Sequence, residues 1–282
     1  MVKVIQSGFY STIQDLGRFG YQHYGVPVSG VMDAYSATMA NGLLNNNKND
    51  AVIEMTMTGA TLMFQCATHI CISGADMSPK LNNQRIKNNF VVMVKAGDIL
   101  SFGSLTVGFR AYLAVSGGFQ TEKVMHSRSM FSNITQGQKL LKNDMLPILE
   151  FANDKTTSTS SIKQNHTFFK DIILPVYKGP EFEQLTNEQQ IRLCSMEFCI
   201  SKQNNRMAYQ LEGLFVNHLD PIITSLVLPG TVQLTPSGQL IVLMRDCQTT
   251  GGYPRVLQLS VASINMLSQK FTNQRIRFKL IE

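Results

Sequence analysis

Residues 245–254 read Arg-Asp-Cys-Gln-Thr-Thr-Gly-Gly-Tyr-Pro and follow the apolar run Leu240-Ile-Val-Leu-Met244. A carboxylate (Asp246), an amide (Gln248), two hydroxyls (Thr249, Thr250) and a phenol (Tyr253) therefore surround a glycine pair at the end of a short buried strand. That set reads as a site-like loop on a rigid edge, in which Asp246, Thr249, Thr250 and Tyr253 are the candidate catalytic residues. Gly251 and Gly252 admit positive φ and carry no Cβ to obstruct a ligand, while Pro254 sets the exit direction. A tight solvated turn would account for the glycines and the proline, but it needs none of the polar side chains between them.

A second dense segment opens the chain. Thr12-Ile-Gln-Asp-Leu-Gly-Arg-Phe-Gly20 leads through Gly25-Val-Pro-Val-Ser-Gly-Val-Met-Asp33 to Ala40-Asn41. Gln14, Asp15, Arg18, Asp33, Asn41 and, further on, Arg206 join Gln248, Gly251 and Gly252 as candidate substrate-binding residues. An arginine can hold a carboxylate through parallel hydrogen bonds. The competing roles are structural: an ion pair of Arg18 with Asp15, an N-cap for Asp33, and a plain surface cation for Arg206.

In these segments the chain resembles the carboxyltransferase-type family that includes subunit 2 of allophanate hydrolase, the C subunit of prokaryotic 5-oxoprolinase and the antagonist of the sporulation-kinase inhibitor. Further matches fall at Glu54-Met-Thr-Met-Thr-Gly59, Gly74-Ala75, Ala96-Gly-Asp98, Tyr112-Leu-Ala-Val-Ser-Gly-Gly118, Ser127-Arg-Ser129, Gly179-Pro180, Asn205-Arg-Met207, Leu211-Glu-Gly213 and Pro236-Ser-Gly-Gln239. The resemblance implies the C component of an ATP-dependent 5-oxoprolinase that opens 5-oxoproline to glutamate. It equally admits the carboxyltransferase component of a urea carboxylase and allophanate pathway, or a regulator that binds a kinase-inhibitor-like protein without turnover. It further implies a kinase-inhibitor-like partner, equivalent to allophanate hydrolase subunit 1 or the B component of 5-oxoprolinase, with room for a third subunit. ATP is expected as a co-substrate of the complex, bound in another kind of site or on another subunit. The lactam or urea chemistry that the resemblance implies asks for donors to a developing oxyanion and for proton handling at nitrogen: Thr249, Thr250 and the N–H groups of Gly251 and Gly252 would be the donors, Asp246 the base or the residue that orients substrate, and Tyr253 the acid or a ring wall. The chain departs from the family in having His126 where relatives carry Gly before Ser-Arg-Ser, Asn204-Asn-Arg-Met-Ala208 for Ser-Asp-Arg-Met-Gly, and Ser225-Leu226 for a Ser-Glu pair.

The chain contains neither a G-x-x-x-x-G-K-[ST] phosphate loop nor a G-x-G-x-x-G dinucleotide turn, and H-E-x-x-H and G-x-S-x-G are absent. The Ala-Met-Lys-Met signature of a biotinyl lysine is absent too, so no covalent biotin is expected here. The net charge of +6 comes from dispersed cations without interleaved aromatics, which argues against nucleic-acid binding. The opening residues lack a signal-peptide pattern and no run is long enough to span a bilayer, so a cytoplasmic protein is expected. Five cysteines do not suggest a disulfide framework. Cys66 and Cys71, five apart in a strand-like stretch, should face opposite ways, which opposes a metal site.

Positioning these loops falls to a mainly β body with a few helices, expected as two cyclophilin-like, barrel-like lobes in one curved body. Short β-like runs recur from Met1–Ile5 to Arg275–Ile281, separated by Gly, Asn and Pro. Helices are expected from Asp33, with a stripe of Met32, Tyr35, Met39 and Leu43, from Thr186 with Gln189 completing a capping box, and over Ser260–Phe271. The almost purely polar stretch 153–166 divides an N-terminal lobe, 1–152, from a C-terminal lobe, 167–282. The opening and closing signatures then belong to different lobes, and a shared cleft would require the lobes to fold together.

Overall fold

A computed structural model describes residues 1–149 and 167–281 of the 282. The chain forms two compact units, Met1–Arg18 with Ser29–His166 and Phe19–Val28 with Thr167–Glu282. The expected polar linker at 153–166 lies outside the described residues.

In the first unit the strands are β1 (Val2–Gln6), β2 (Tyr10–Gln14), β3 (Val52–Thr56), β4 (Thr61–Phe64), β5 (Thr68–Asp76), β6 (Lys80–Leu81), β7 (Gln84–Arg85), β8 (Val91–Val94), β9 (Ile99–Ser101), β10 (Val107–Val115) and β11 (Met145–Leu146). They make a six-stranded sheet in the order β11-β1-β4-β9-β6-β7 and a five-stranded sheet in the order β2-β3-β10-β5-β8. Strand alternation gives each sheet an apolar face, and these faces pack together. Val2, Val4, Leu62, Phe64 and Leu100 from one sheet join Ile13, Ile53, Met55, Ile70 and Leu113 from the other in a single core. On the far side of the five-stranded sheet, Val52, Cys71, Tyr112 and Ala114 pack against helix α1 (Ala34–Leu43). Cys66 lies in the bend between β4 and β5 and packs on the first of these cores, while Cys71 in β5 lies in the second, so the two face different cores although no single strand contains both.

Of the expected stripe, Leu43 is buried and Met39 packs on the core beneath α1, whereas Tyr35 is exposed and Met32 lies before the helix. Ala37 and Ala40 complete the buried face, and their small side chains allow the helix axis to approach the sheet closely.

The second unit comprises α2 (Thr167–Lys170), β12 (Ile173–Lys178), α3 (Asn187–Ser195), β13 (Phe198–Asn204), β14 (Ala208–Glu212), β15 (Ser225–Leu226), β16 (Thr231–Leu234), β17 (Leu240–Leu243), β18 (Thr250–Gly251), β19 (Arg255–Leu259), α4 (Val261–Ser268) and β20 (Arg275–Leu280). Seven strands close a barrel in the order β12-β19-β16-β17-β14-β13-β20, sealed by the parallel pair β12 and β20. Val232 stands opposite Val242 and Leu257 in the ladders, and all three are fully buried. Alternation then sends Gln233 to the outer face of β16. The expected capping box at Thr186 and Gln189 is present, and Ser260 caps α4.

One turn of the first unit departs from ordinary backbone preference. Val124 and Ser127 exchange backbone hydrogen bonds of 2.8 and 3.2 Å, and the residues between them, Met125 and His126, have φ of +52° and +63°. Two successive left-handed residues are the φ signature of a turn that favours Asn-Gly. A glycine at position 126 would meet this requirement without a Cβ penalty. The double substitution Met125→Asn with His126→Gly should raise stability by about 1–2 kcal/mol. Denaturant unfolding measures this, and a midpoint unchanged or lowered would contradict the strain.

Candidate functional site

Asp15 is the hub of the opening signature. It is 4 % exposed, and its carboxylate accepts from Ser127 Oγ (2.6 Å), Ser129 Oγ (2.7 Å), the Gly17 amide (2.9 Å) and the Arg128 amide (2.7 Å). Hydrogen bonds to a charged group are each worth about 1.5–3 kcal/mol, so this set holds the Ser-Arg-Ser loop on the strand end after β2. Arg18, also buried, donates through Nη2 to the Ser129 carbonyl at 2.6 Å, bracing the same loop. Gln14 donates through Nε2 to Thr12 Oγ1 and to the Met130 carbonyl, whereas its buried Oε1 has no partner among the described residues. Gln14, Asp15 and Arg18 thus come together around residues 127–130.

Asp33 and Asn41 bind protein. Asp33 caps α1, accepting from the Ser36 amide at 3.1 Å and the Ser36 hydroxyl at 2.6 Å. Asn41 donates to the Asp50 carbonyl at 2.8 Å and accepts from Asn46, which also donates to the Val115 carbonyl. Around Asp33 lies a buried polar group that the sequence reading did not single out. The Tyr112 hydroxyl accepts from the Asp33 amide at 2.8 Å, and Glu54 accepts from the Met32 amide at 2.7 Å with Arg110 at 3.9 Å. Burial, then the charges of Glu54 and Asp33, push the Tyr112 hydroxyl well above its ordinary pKa, so this phenol stays neutral. Glu54 and Arg110 alternate with apolar neighbours in β3 and β10, and that break in an otherwise apolar pattern was the signal available.

In the second unit Asp246 and Arg206 form a bidentate ion pair at 2.8 and 3.0 Å, and the Asp246 amide also donates to the Arg206 carbonyl at 2.9 Å. Both partners are largely buried. With its two oxygens engaged by one guanidinium, Asp246 holds the loop that follows β17 against residues 205–207. Arg206 in turn presents its fork to Asp246. From the sequence Asp246 is expected as a base or substrate-orienting group and Arg206 as a substrate ligand; their ion pair corrects both, and the contact between residues forty apart is not visible in the chain.

Beyond Asp246 the loop becomes half of a small ladder. Thr250 and Gly251 pair with Leu226 and Ser225, the Thr249 carbonyl accepts from Val227, and the Gly252 carbonyl accepts from Ile222. Handedness does not call for glycine here, since neither Gly251 nor Gly252 has a positive φ; a Cβ on Gly251 would come within 2.5 Å of Gln233 Nε2, the end of a side chain. Thr249 is half-buried, Thr250 and Tyr253 are exposed, and the side-chain oxygen of Gln248 is buried without a partner among the described residues. Cys247, between Asp246 and Gln248, is an unreactive thiol, pushed up to about 12 chiefly by burial.

A further pair, Glu181 and Arg255, braces this loop from below. Arg255 reaches Glu181 through Nε at 3.0 Å and Nη2 at 2.8 Å, and its Nη1 donates to the Leu226 carbonyl at 2.9 Å. The turn that carries Glu181 begins at Gly179, where a Cβ would overlap the Arg255 carbonyl. Hydrogen bonding from Arg255 holds the Glu181 carboxyl below its ordinary value of 4.5.

Two outcomes follow from these pairs. Asp246→Ala should lower unfolding stability by about 3 kcal/mol, because it leaves buried Arg206 uncompensated, whereas the apolar double variant Arg206→Met with Asp246→Leu should recover most of the loss in urea titrations. Because the folded-state pKa of Glu181 is depressed, its contribution is complete above the ordinary carboxyl value of 4.5 and disappears as pH falls through the lowered value. Glu181→Gln should therefore flatten that acid limb of the stability curve, and an unaltered limb would show that the pair carries no pH-dependent stability.

Comparison with known proteins places these units in a family. Residues 24–280 match the family described as carboxyltransferase domain, subdomain A and B. A protein from Escherichia coli (strain K12), named as the C component of 5-oxoprolinase, is 32 % identical over 284 residues, 99 % of this chain and 90 % of that protein. Among solved structures, TTHA0988 superposes with a TM-score of 0.89 at 26 % identity, over 99 % of this chain and 55 % of the other. The K. lactis urea amidolyase superposes with a TM-score of 0.87 at 27 % identity over the whole of this chain, which spans 19 % of that enzyme. This chain accordingly corresponds to about half of the first solved chain and a fifth of the second. It belongs to the family of carboxyltransferase domains composed of subdomains A and B.

Proposed function

We propose that this chain is the C component of an ATP-dependent 5-oxoprolinase, which opens 5-oxoproline to glutamate only when assembled with a companion subunit. The observation that carries this reading is the near full-length likeness to a protein of that name, over 99 % of this chain and 90 % of the relative. The chemistry of residues 246–253 supports it. Opening a lactam builds negative charge on the carbonyl oxygen, and the hydroxyls of Thr249 and Thr250, with the N–H of Gly252, are donors of the kind such charge needs. Tyr253, exposed at the loop's end, is the acid or the wall for the substrate ring. Asp246 enters as the residue that positions Arg206 and the loop, not as a free base.

ATP is the co-substrate in this reading; the chain carries no phosphate-loop motif, so the phosphates meet another kind of site or another subunit. The companion is a kinase-inhibitor-like protein, and a third subunit can join them. Exposed Ile223, Leu226 and Leu228, on and beside the strand that pairs with the loop, suit a surface covered by another chain. The fold likeness to urea amidolyase favours a second reading, the carboxyl-transferring component of a urea pathway, with biotin carried on another chain. A regulator that sequesters a kinase inhibitor is the non-enzymatic alternative.

Copurification with the products of neighbouring genes, followed by assays of 5-oxoproline-dependent ATP hydrolysis and biotin-dependent urea carboxylation, separates the three. Lactam-dependent ATP hydrolysis is the expected result; a stable complex with neither activity favours the regulator. In the active complex Thr250→Val should lower kcat by about 10²-fold with an unchanged melting temperature. Undiminished turnover would remove Thr250 from the chemistry.

A further inference from the structure

The outer face of β16 carries an unused hydrogen-bond donor. Gln233 is 2 % exposed, and its Nε2 has no partner among the described residues. That nitrogen lies against Gly251, where a Cβ would stand 2.5 Å from it. Three positions before Gly251, Oε1 of Gln248 is an equally unmatched buried acceptor. Leaving a buried amide group unmatched is costly, and apolar side chains of similar size would avoid that cost at both positions. One unused amide donor and one unused amide acceptor therefore flank the Thr249–Gly252 segment.

Their chemistry names a complement. An amide, lactam or ureide presents a carbonyl acceptor beside an N–H donor, the complement of one unused donor and one unused acceptor. A ketone or ester satisfies the donor alone and leaves the Gln248 oxygen unmatched. A site that hydrogen-bonds both features of its ligand discriminates strongly against analogues that lack one of them, because its own buried group is then left bare.

The geometry points to Gln233 as a substrate-binding residue that donates from Nε2 to the carbonyl oxygen of an amide or lactam, while Gln248 accepts that ligand's N–H. The inference rests on the reading that residues 248–253 hold the substrate. It adds a residue from the barrel wall, and it supplies the reason for glycine at 251: a side chain there would displace the Gln233 amide from the loop.

The test uses the full-length chain and its copurified complex with two probes, 2-pyrrolidinone, which has both C=O and N–H, and cyclopentanone, which has only C=O. Saturation-transfer NMR should show the lactam binding to wild-type protein more tightly than the ketone. Gln233→Met should weaken lactam binding about ten-fold while leaving the melting temperature unchanged or raising it, since an unmatched polar group is replaced by an apolar one of similar length. Gln248→Met should abolish the preference for lactam over ketone. A Gln233→Met protein that binds the lactam undiminished overturns the proposal. So does one that melts earlier or fails to fold, since the amide would then be a structural partner, and so does wild-type protein that binds the ketone as well as the lactam or binds neither. Binding is read without turnover, so a complex that binds the lactam through Gln233 but does not hydrolyse ATP with 5-oxoproline refutes the proposed activity and leaves the amide site standing.

Discussion

A carboxylate taken out of water must be matched, and most of the signature loops in this protein are organised by that requirement. Asp15 gathers hydroxyls and amides from residues 17 and 127–129, Asp33 caps α1, Glu54 receives the Met32 amide, Asp246 grips Arg206, and Glu181 grips Arg255. Asp15, Asp246 and Glu181 in this way fasten loops, Asp33 fixes the start of α1, and Glu54 ties the chain before α1 to the middle of β3. Breaking one such pair exposes the surviving partner to the full cost of an unmatched buried charge, which makes these contacts demanding in geometry even where their net stabilisation is modest. The groups left over for a ligand are then neutral ones: threonine hydroxyls, a phenol and glutamine amides. A site made from neutral donors and acceptors suits an uncharged amide function better than it suits acid–base chemistry by a free carboxylate.

Close backbone approaches are the second organising feature. Gly179 lies against the Arg255 carbonyl, a backbone contact that requires glycine by space, while a Cβ on Gly251 would meet the end of the Gln233 side chain. The turn at Met125 and His126 shows the opposite situation, where left-handed backbone is imposed on residues with side chains. That turn delivers Ser127 to Asp15, so the gain from satisfying a buried carboxylate is larger than the local conformational cost.

How much was legible in the chain depends on the range of the interaction. Strands such as Thr61–Phe64, Thr231–Leu234 and Arg275–Leu280 announce themselves by alternation or apolar runs, and the caps at Asp33, Thr186 and Ser260 by local residue type, because each is set by neighbours a few positions away. Strand β2 was hidden inside a polar signature, since Ser11, Thr12 and Gln14 are buried by contacts that a hydropathy pattern does not contain. The orientation of α1 was likewise decided by the close fit of Ala37 and Ala40 to a sheet.

By itself the sequence determined the β-rich character, the helix starts, the ordered set of motifs and the polar content of residues 245–254. Only the tertiary structure decided that Asp246 meets Arg206, that Glu181 meets Arg255, and that Gln233 lies beneath Gly251. The physical reason is that residue type and spacing reveal which groups need partners, while barrel closure and strand register select which distant residue arrives to satisfy them.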